Sequence, residues 1–219
     1  MSGPSGATTT TAHNKELNPW MEGHIRRLGH DGTVLDLGCG RGFWLEWMAA
    51  EGITAIGFEH DFDRVRLGAA HAPVAVADGQ KLPLRDGAVS VVWCIHVLHH
   101  LPQPEAVLSE IRRVLRPGGH LVLAETVEDN PVVRYGRKLW PHWDGVDIEA
   151  KFTASQLVEM LADAGLSVVD RRQHSLLSFA AWSLPEARRR MWVGLSRLEA
   201  RLPRRFDRWG AHLECVARS

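Results

Sequence analysis

The fold of this chain is decided by the stretch Thr33-Val34-Leu35-Asp36-Leu37-Gly38-Cys39-Gly40-Arg41-Gly42. Its first half is a short apolar run, which predicts a buried strand rather than a helix. The glycines that follow predict a tight turn where the backbone can approach a ligand closely. The spacing differs from the dinucleotide-binding pattern G-x-G-x-x-G, because Phe43 stands where that pattern needs a third small residue. A nicotinamide cofactor is therefore disfavoured.

Apolar patterns of two different periods alternate along the chain on both sides of this stretch. Helical periodicity predicts helices, and short apolar runs rich in β-branched residues predict strands. Alternating strands and helices form βαβ units, which build a parallel sheet with helices on both faces. The sequence therefore predicts an α/β fold with a doubly wound, mostly parallel seven-stranded sheet. Helices are expected at 19–28, 43–50, 62–70, 105–115 and 153–164, and strands at 33–37, 53–58, 74–77, 89–94, 120–124, 166–170 and 212–217.

Two long segments interrupt this pattern in the second half of the chain. The periodicity is lost over about 126–152, a stretch that contains Tyr135, Trp140 and Trp143, and a second insertion, which includes a predicted helix, covers about 174–209. Segments of this length between elements of one domain are more often binding insertions than plain connections. We therefore expect a flexible tail over 1–18 and one domain over 19–219, in which the two segments are insertions that form a lid.

Length and composition limit the class of protein. The chain has 219 residues, of which 45% are apolar, as is typical of one globular domain. Basic and acidic side chains both number 26, and this neutral balance disfavours a polybasic nucleic-acid-binding protein. The three cysteines form no Cys-x-x-Cys pair, and no apolar run approaches the roughly 20 residues of a membrane span. We therefore expect a reduced, cytoplasmic protein.

Two further carboxylates follow predicted strands at the same edge of the sheet. Glu59 ends the second strand 17 residues after Gly42, where a carboxylate can bind both hydroxyls of a ribose. Asp78 and Gly79 follow the third strand, where a carboxylate can accept from an adenine amino group. Parallel α/β sheets bind ligands at the carboxyl ends of their strands. Together these groups outline a site for a nucleoside with a short zwitterionic tail.

The ordered motifs resemble those of class I S-adenosylmethionine-dependent methyltransferases of the small-molecule type, similar to methyltransferase domain family 11. The similarity is tight from Thr33 to Ala124 and covers 153–217 only in layout. It implies a Rossmann-like fold, S-adenosyl-L-methionine as cofactor, and methyl transfer to a small acceptor. Val89 and Ser90 depart from the Phe-Asp pair that relatives often carry. The matching motifs are Val34 to Gly42, Gly57-Phe58-Glu59, Ala77-Asp78-Gly79, Leu82 to Gly87, Val97 to Leu101, and Val114 to Gly119.

The resemblance also implies which residues contact the cofactor. Asp36, Gly38 and Gly40 would hold the methionine end, and Glu59 would hold the ribose. Asp78 with Gly79 would hold the adenine. The set is completed by neighbours in the same loops and by the end of the fourth strand, namely Cys39, His60, Ala77, Cys94 and Ile95.

The acceptor side is less well defined by the sequence. In-line displacement at an activated methyl group depends mostly on correct placement of the acceptor, and a base is needed only when the acceptor must lose a proton. Trp140 and Trp143 either line a pocket for an apolar or aromatic acceptor or anchor the insertion onto the core. The acceptor-side candidates are His96, His99, Glu125 and His142.

His96, His99 and His100 directly follow the fourth strand. In relatives that use a divalent ion, the matching stretch resembles Glu-x-x-Glu-His, and here it would become His-x-x-His-His. Such a nitrogen-rich set suits zinc, iron or manganese better than magnesium. Histidines at a helix start more often serve structure, so we expect no metal and keep these three as the candidate ligands.

A helix rich in arginine is predicted over 186–208, after the capping box that begins at Ser183. Its arginine face either meets an anionic membrane surface or, as is more common, lies in solvent. The first functional hypothesis is methylation of a small, apolar or aromatic acceptor. The alternatives are methylation of a protein or RNA, and cofactor binding without turnover. The sequence leaves the oligomeric state open.

Overall fold

A computed structural model describes residues 19–68, 72–131, 133–135, 150–177, 194–195, 197–199 and 201–219. Its centre is a seven-stranded sheet with the strand order β3-β2-β1-β4-β5-β7-β6. The strands are Val34–Leu37 (β1), Ala55–Glu59 (β2), Val74–Val76 (β3), Val89–Ile95 (β4), Leu115–Thr126 (β5), Ser167–His174 (β6) and His212–Arg218 (β7).

The first five strands run parallel, and β7 lies antiparallel between β5 and β6. The mostly parallel α/β sheet expected from the sequence is therefore confirmed. The chain winds outward from β1 in one direction to β3 and then continues from β4 in the other direction. At such a reversal the loops that follow neighbouring strands separate and open a crevice at the carboxyl ends of the strands. The crevice lies between the loops after β1 and β4.

Five helices of the described residues are Pro19–Leu28 (α1), Phe43–Ala50 (α2), Phe62–Gly68 (α3), Pro104–Val114 (α4) and Ala154–Asp163 (α5). Buried residues of α1 and α2 pack with Val34, Trp93 and Val122 on one face of the sheet. Buried residues of α4 and α5 pack with Leu35 and Leu121 on the opposite face. The strands bury both faces, which explains why they appear in the sequence as continuous apolar runs.

The start of β5 differs from the sequence prediction, which placed it at residue 120. β5 begins at Leu115, and its register with β4 shifts between the pairs Val89–Leu115 and Val91–His120. Within the shifted part Gly118 adopts a φ of 75°, and a Cβ at Gly119 would lie 2.9 Å from the carbonyl oxygen of Ser90. The glycines therefore form an irregular start of the strand, where close backbone approach excludes a side chain.

The arginine-rich helix predicted over 186–208 does not continue to its predicted end. Residues 201–203 form a turn, and Arg204–Trp209 form a 3₁₀ helix. Pro203 lacks the backbone N–H that a continuing helix would need at this position. Residues 186–193 of the predicted helix lie outside the described residues. In the described part of the chain, none of the helices combines the length and apolar character needed to cross a bilayer.

Candidate functional site

The turn after β1 has a left-handed backbone at three glycines, Gly38, Gly40 and Gly42, with φ values of 74°, 55° and 80°. A Cβ at Gly38 would lie 2.4 Å from Cγ2 of Val97, so the segment after β4 packs directly against the turn. A Cβ at Gly40 would meet no atom within 4 Å. The turn therefore exposes its backbone to open space at Gly40, as close binding of a ligand requires.

Glu59 is buried at the end of β2 and joins neighbouring loops. Its Oε2 accepts from the backbone N–H of Gly40 at 3.0 Å, and its Oε1 accepts from those of His60 and Asp61. Nδ1 of His60 lies 2.8 Å from the same Oε1. Each carboxylate oxygen has two lone pairs, so Oε2 can accept from one more donor. A ribose hydroxyl fits at Oε2, whereas Oε1 already accepts from two backbone N–H groups.

Asp36 is buried on β1, directly opposite Trp93 of β4. Burial, together with the charge of Glu59, raises the pKa of Asp36 to about 8. Oδ2 of Asp36 and Nε1 of Trp93 are buried and have no hydrogen-bond partner within the described residues. A cationic group bound nearby would stabilise the ionised form of Asp36. These features fit a nucleoside with a positively charged tail, such as S-adenosylmethionine.

The remaining residues predicted to contact the cofactor lie at the same edge of the sheet. The backbone N–H of Ala77 donates to the carbonyl oxygen of Glu59 at 3.0 Å, which joins the loops after β2 and β3. Asp78 is exposed, and its Oδ1 accepts from the N–H of Gln80 at 2.9 Å, so the carboxylate stabilises its own turn. A Cβ at Gly79 would lie 3.9 Å from Cδ1 of Leu37, at the end of β1.

Both cysteines of the predicted set are buried. Burial raises the pKa of Cys39 to about 12 and the pKa of Cys94 well above its ordinary value. Both therefore remain protonated thiols near neutral pH. The Cys94 side chain belongs to the core under α4 and α5, whereas Ile95 is partly exposed at the end of β4.

A buried carboxylate and a histidine form the next layer of the site. Glu125, near the end of β5, accepts from the backbone N–H groups of Val97 and Leu98 at 2.9 Å and 2.7 Å. Its other oxygen lies 2.6 Å from Nδ1 of His99. Burial alone would raise the pKa of Glu125, but the hydrogen bond and charge of His99 outweigh it and hold that pKa below its ordinary value. Glu125 is therefore an anion that orients the segment after β4.

His96 directly follows β4, and its ring centroid lies 6.0 Å from that of His99. Its φ is 55°, a left-handed conformation that is uncommon for residues other than glycine. The neighbouring residue Val97 is the one that packs against Gly38. Burial lowers the pKa of His96 to about 4, although Glu125 acts in the opposite direction. His96 is therefore a neutral imidazole at neutral pH, held in a costly conformation beside the crevice.

The spacing of this cluster would also allow a metal ion. Ligand atoms of His96, His99 and Glu125 lie within 4.8 Å of one another, whereas His100 is exposed and outside the group. Both oxygens of Glu125 already accept from His99 or from backbone N–H groups. One lone pair of Oε2 remains, so Glu125 could bind an ion through that oxygen alone and not as a bidentate ligand.

Several residues of this edge were missed by the sequence analysis. These residues lie on one face of β6 and β7. They are His174 at the end of β6, His212 at the start of β7, and the neighbouring pair Arg172 and Glu214. The available signal was Glu214, a charged residue within the apolar run of a buried strand. Two predicted features, His142 and the pair Trp140 and Trp143, lie outside the described residues.

Comparison with known proteins agrees with this geometry. A family described as a methyltransferase domain matches residues 15–171. A ubiquinone biosynthesis O-methyltransferase of Cupriavidus pinatubonensis is 31% identical over 177 residues, which are 72% of this chain and 70% of that protein. An uncharacterized methyltransferase of Mycobacterium sp. strain JLS is 34% identical over 152 residues, or 68% of this chain and 60% of its own length.

The fold is also found among solved structures. The crystal structure of an S-adenosylmethionine-dependent methyltransferase from Archaeoglobus fulgidus superimposes with a TM-score of 0.68 at 17% identity, covering 94% of both chains. At this identity the likeness supports the fold and not the acceptor.

Proposed function

The chain belongs to the methyltransferase domain family and is a class I S-adenosylmethionine-dependent methyltransferase, and we propose that it methylates a small, apolar or aromatic acceptor at an oxygen or nitrogen atom. The observation that carries this proposal is His96. A neutral imidazole is held in a strained left-handed conformation where the segment after β4 contacts the glycine turn. Strain of this kind concentrates at functional sites.

In this proposal the cofactor is held by the loops after four strands. Asp36, Gly38, Cys39 and Gly40 hold the methionine end, where the unpartnered oxygen of Asp36 accepts from a donor. The ribose is held by Glu59 and His60, and the adenine is held by Ala77, Asp78 and Gly79. The cofactor is bordered by Cys94 and Ile95. When bound, S-adenosylmethionine supplies a methyl group on a positively charged sulfur, which is already activated for displacement.

His96 acts as the general base that takes the proton from the molecule being methylated. A base near this position is needed when the attacking atom is a protonated oxygen or nitrogen, and general-base catalysis contributes typically about 10²–10⁴-fold. His99 acts as a positioning residue, because Glu125 holds its ring while also binding the backbone N–H of Val97 and Leu98. The name of the Cupriavidus relative, an O-methyltransferase, supports an oxygen acceptor.

The proposal includes the lid expected from the two insertions, of which 136–149 and 178–193 lie outside the described residues. Their bases are joined at the carboxyl edge, where the N–H of Val127 donates to the carbonyl of Ala211 at 2.8 Å. Nδ2 of the buried Asn130 donates to the carbonyl oxygen of Leu176 at 2.9 Å. The backbone N–H of Ala150 donates to the carbonyl oxygen of His99 at 3.1 Å. Hydrogen bonds at both bases support a common role in covering the site.

The proposal is tested by incubating the protein with methyl-labelled S-adenosylmethionine and fractionated extract of its host. We expect the label to enter a small molecule that remains after protease and nuclease digestion and passes a size filter. A Gly40→Leu variant, in which a side chain fills the open space at the turn, should transfer no label. Label that enters protein or RNA would replace the small acceptor by a macromolecule. Cofactor binding by calorimetry without label in any fraction would indicate binding without turnover.

A further inference from the structure

Four histidine rings form a continuous row along the carboxyl edge of the sheet, within the part of the chain that the structure describes. The ring centroids of His99 and His96 are 6.0 Å apart, those of His96 and His212 are 5.5 Å apart, and those of His212 and His174 are 5.5 Å apart. We call this set the imidazole row. It begins in the buried interior at His99 and reaches the surface at His174, whose side chain is 35% exposed.

A buried carboxylate stands at each end of the row. Glu125 contacts His99 at the inner end, and Glu214 contacts Nε2 of His174 at 2.9 Å at the outer end. The hydroxyl of Ser175 lies 2.9 Å from Nδ1 of His174, so both nitrogens of that ring have a fixed partner. At these ring separations, a proton passes between neighbouring imidazoles after a small rotation of a ring or through one bridging water.

The outer carboxylate is itself held in place. Burial would raise the pKa of Glu214, but hydrogen bonding to His174 and the nearby charge of Arg172 hold that pKa at about 2. Arg172 forms an ion pair with the second oxygen of Glu214, and its guanidinium lies 5.4 Å from the ring of Trp20 on α1. Glu214 is therefore a permanent negative charge next to the exposed end of the row.

Packing alone does not explain this arrangement. Buried polar and charged groups cost free energy that apolar side chains of similar volume would not. The opposite face of the same strands is filled by ordinary apolar residues such as Leu123 and Leu213. A series of imidazoles between an active site and solvent is suited to moving protons, because histidine gains and loses a proton near neutral pH.

We propose that His212 and His174 carry away, through the imidazole row, the proton that His96 takes from the methyl acceptor, and that Glu214 and Arg172 position its outer end. The inference rests on the proposed function, because it requires an acceptor that loses a proton. The acceptor O–H or N–H bond breaks, its electron pair stays on the acceptor atom, and an N–H bond forms on His96. Each later transfer breaks one N–H bond and forms the next, so a proton and one positive charge leave at His174.

The groups around His96 explain why a relay is needed. Glu125 and Glu214 favour its protonated form, while burial and the neighbouring His99 and His100 oppose it, and the pKa of His96 is lowered to about 4. His96 therefore holds a proton weakly. At His174 the facing groups are Glu214, Arg172, His212 and the hydroxyl of Ser175. The carboxylate there stabilises the positive charge, and solvent then removes the proton.

The test uses the extract fraction that accepts labelled methyl groups from the wild-type protein. In His174→Ala we expect kcat to fall at least tenfold at unchanged KM and unchanged cofactor affinity, and free imidazole in the buffer to restore most of the loss. In His212→Gln we expect a similar fall without rescue, because the missing ring is buried. His30→Gln replaces an exposed histidine at the other edge of the sheet and should match the wild type.

Glu214→Gln should move the acid limb of the kcat/KM profile to lower pH and lower its plateau, because the row loses a negative charge. If this variant fails to fold with Arg172 unpaired, the double variant Glu214→Gln with Arg172→Met provides the same measurement. A kcat within twofold of wild type in His174→Ala, or a loss that imidazole does not restore, would overturn the relay.

A readout without turnover separates this inference from the proposed function. NMR of histidine-labelled protein with S-adenosylmethionine should show that the ring N–H proton of His96 exchanges with solvent at least tenfold more slowly in His174→Ala and in His212→Gln than in the wild type. An exchange rate at His96 that both variants leave unchanged would refute the relay whether or not an acceptor is found. Row-dependent exchange in a protein that labels no extract fraction would instead contradict the proposed function.

Discussion

Gly40 and Glu59 belong to different strand-to-helix turns, and the backbone N–H of Gly40 donates to Oε2 of Glu59 over 3.0 Å. This hydrogen bond ties the glycine turn after β1 to the buried end of β2. It also leaves one lone pair on Oε2 and open space above Gly40. The same carboxylate therefore shapes the crevice and is available to a ligand inside it.

Replacing Glu59 by Gln tests this double role. The amide keeps one acceptor oxygen but turns an N–H₂ group toward backbone donors. We expect the cofactor dissociation constant to rise at least tenfold and the free energy of unfolding to fall by about 1–3 kcal/mol. Calorimetric titration with S-adenosylmethionine and thermal unfolding measure the two effects. Unchanged affinity in a folded variant would remove Glu59 from the cofactor site.

Gly40 and Gly52 form a matched pair for testing the turn. Both have positive φ, 55° and 72°, and a Cβ at either would meet nothing within 4 Å. Leu at either position should cost about 1–2 kcal/mol of stability from the left-handed backbone alone. Only Gly40→Leu should abolish cofactor binding, because Gly52 lies after α2 and away from the crevice. Equal affinities in the two variants would contradict the proposed site.

Asp36 should make the free protein less stable as the pH rises. Its pKa is about 8 in the folded state against an ordinary 3.8, so from about pH 4 to about pH 8 the unfolded state ionises first. Stability is lost across this window, because the unfolded state releases its proton while the folded state keeps it.

The Asp36→Asn variant should lack this loss. We expect it to exceed the wild type by about 5 kcal/mol near pH 8, at about 1.4 kcal/mol for each unit of pKa shift, and to match it below pH 4, while binding S-adenosylmethionine more weakly. Chemical denaturation at a series of pH values measures the first effect, and calorimetry measures the second. If the free energy of unfolding of the wild type stays equal to that of the variant from pH 4 to pH 8, the buried acid is disproved.

Substituting His96 by Gly separates strain from function. Glycine adopts the φ of 55° freely, so the free energy of unfolding at pH 7 should change by no more than about 1 kcal/mol. Methyl transfer should fall by about 10²–10⁴-fold, which is the usual contribution of a general base. The exposed His30→Gln serves as the control. Retained activity in the glycine variant would assign the base to another group.

The same variant should alter stability in acid. Burial lowers the pKa of His96 to about 4 from 6.5, so the unfolded state binds its proton first as the pH falls. Stability contributed by the neutral ring is present above pH 6.5 and is lost between pH 6.5 and pH 4. Chemical denaturation between pH 6.5 and pH 4 should show that the free energy of unfolding falls less for His96→Gly than for the wild type.

The hydrogen bonds of Glu125 predict that the histidine cluster holds no resident metal. Its Oε1 accepts from two backbone N–H groups and its Oε2 from His99, so an ion would find only one remaining lone pair on this carboxylate. Elemental analysis should find substoichiometric zinc, iron and manganese in the wild type and in His96→Ala alike. Stoichiometric metal in the wild type that disappears in the variant would show the opposite.

Much of the fold follows from local sequence features. The run from Val34 to Leu37, its glycine turn and the helix over 43–50 agree with the structure in position, because burial, periodicity and glycine are local properties. Thr153 and Gln156 form the predicted capping box, in which each side chain binds the backbone of the other. The start of β5 was predicted five residues late, since its register depends on contact with Ser90 of another strand.

The acceptor side depended far more on tertiary contacts. His96, His99 and Glu125 were candidates from their positions after β4 and β5, but nothing local indicated that Glu125 holds both His99 and the backbone of Val97. Glu214 and His174 were missed, because they join this edge only when the antiparallel strand β7 inserts between β5 and β6.

The sequence by itself determined the parallel sheet, the family resemblance and the loops that form the cofactor crevice, because these depend on residue types at short, fixed spacing. Tertiary structure alone decided which histidines face one another, that an oxygen of Asp36 is buried with no partner among the described residues, and that His96 adopts a left-handed backbone. Those properties arise from distances and burial between residues far apart in the chain, and such long-range pairing has no local signal in the sequence.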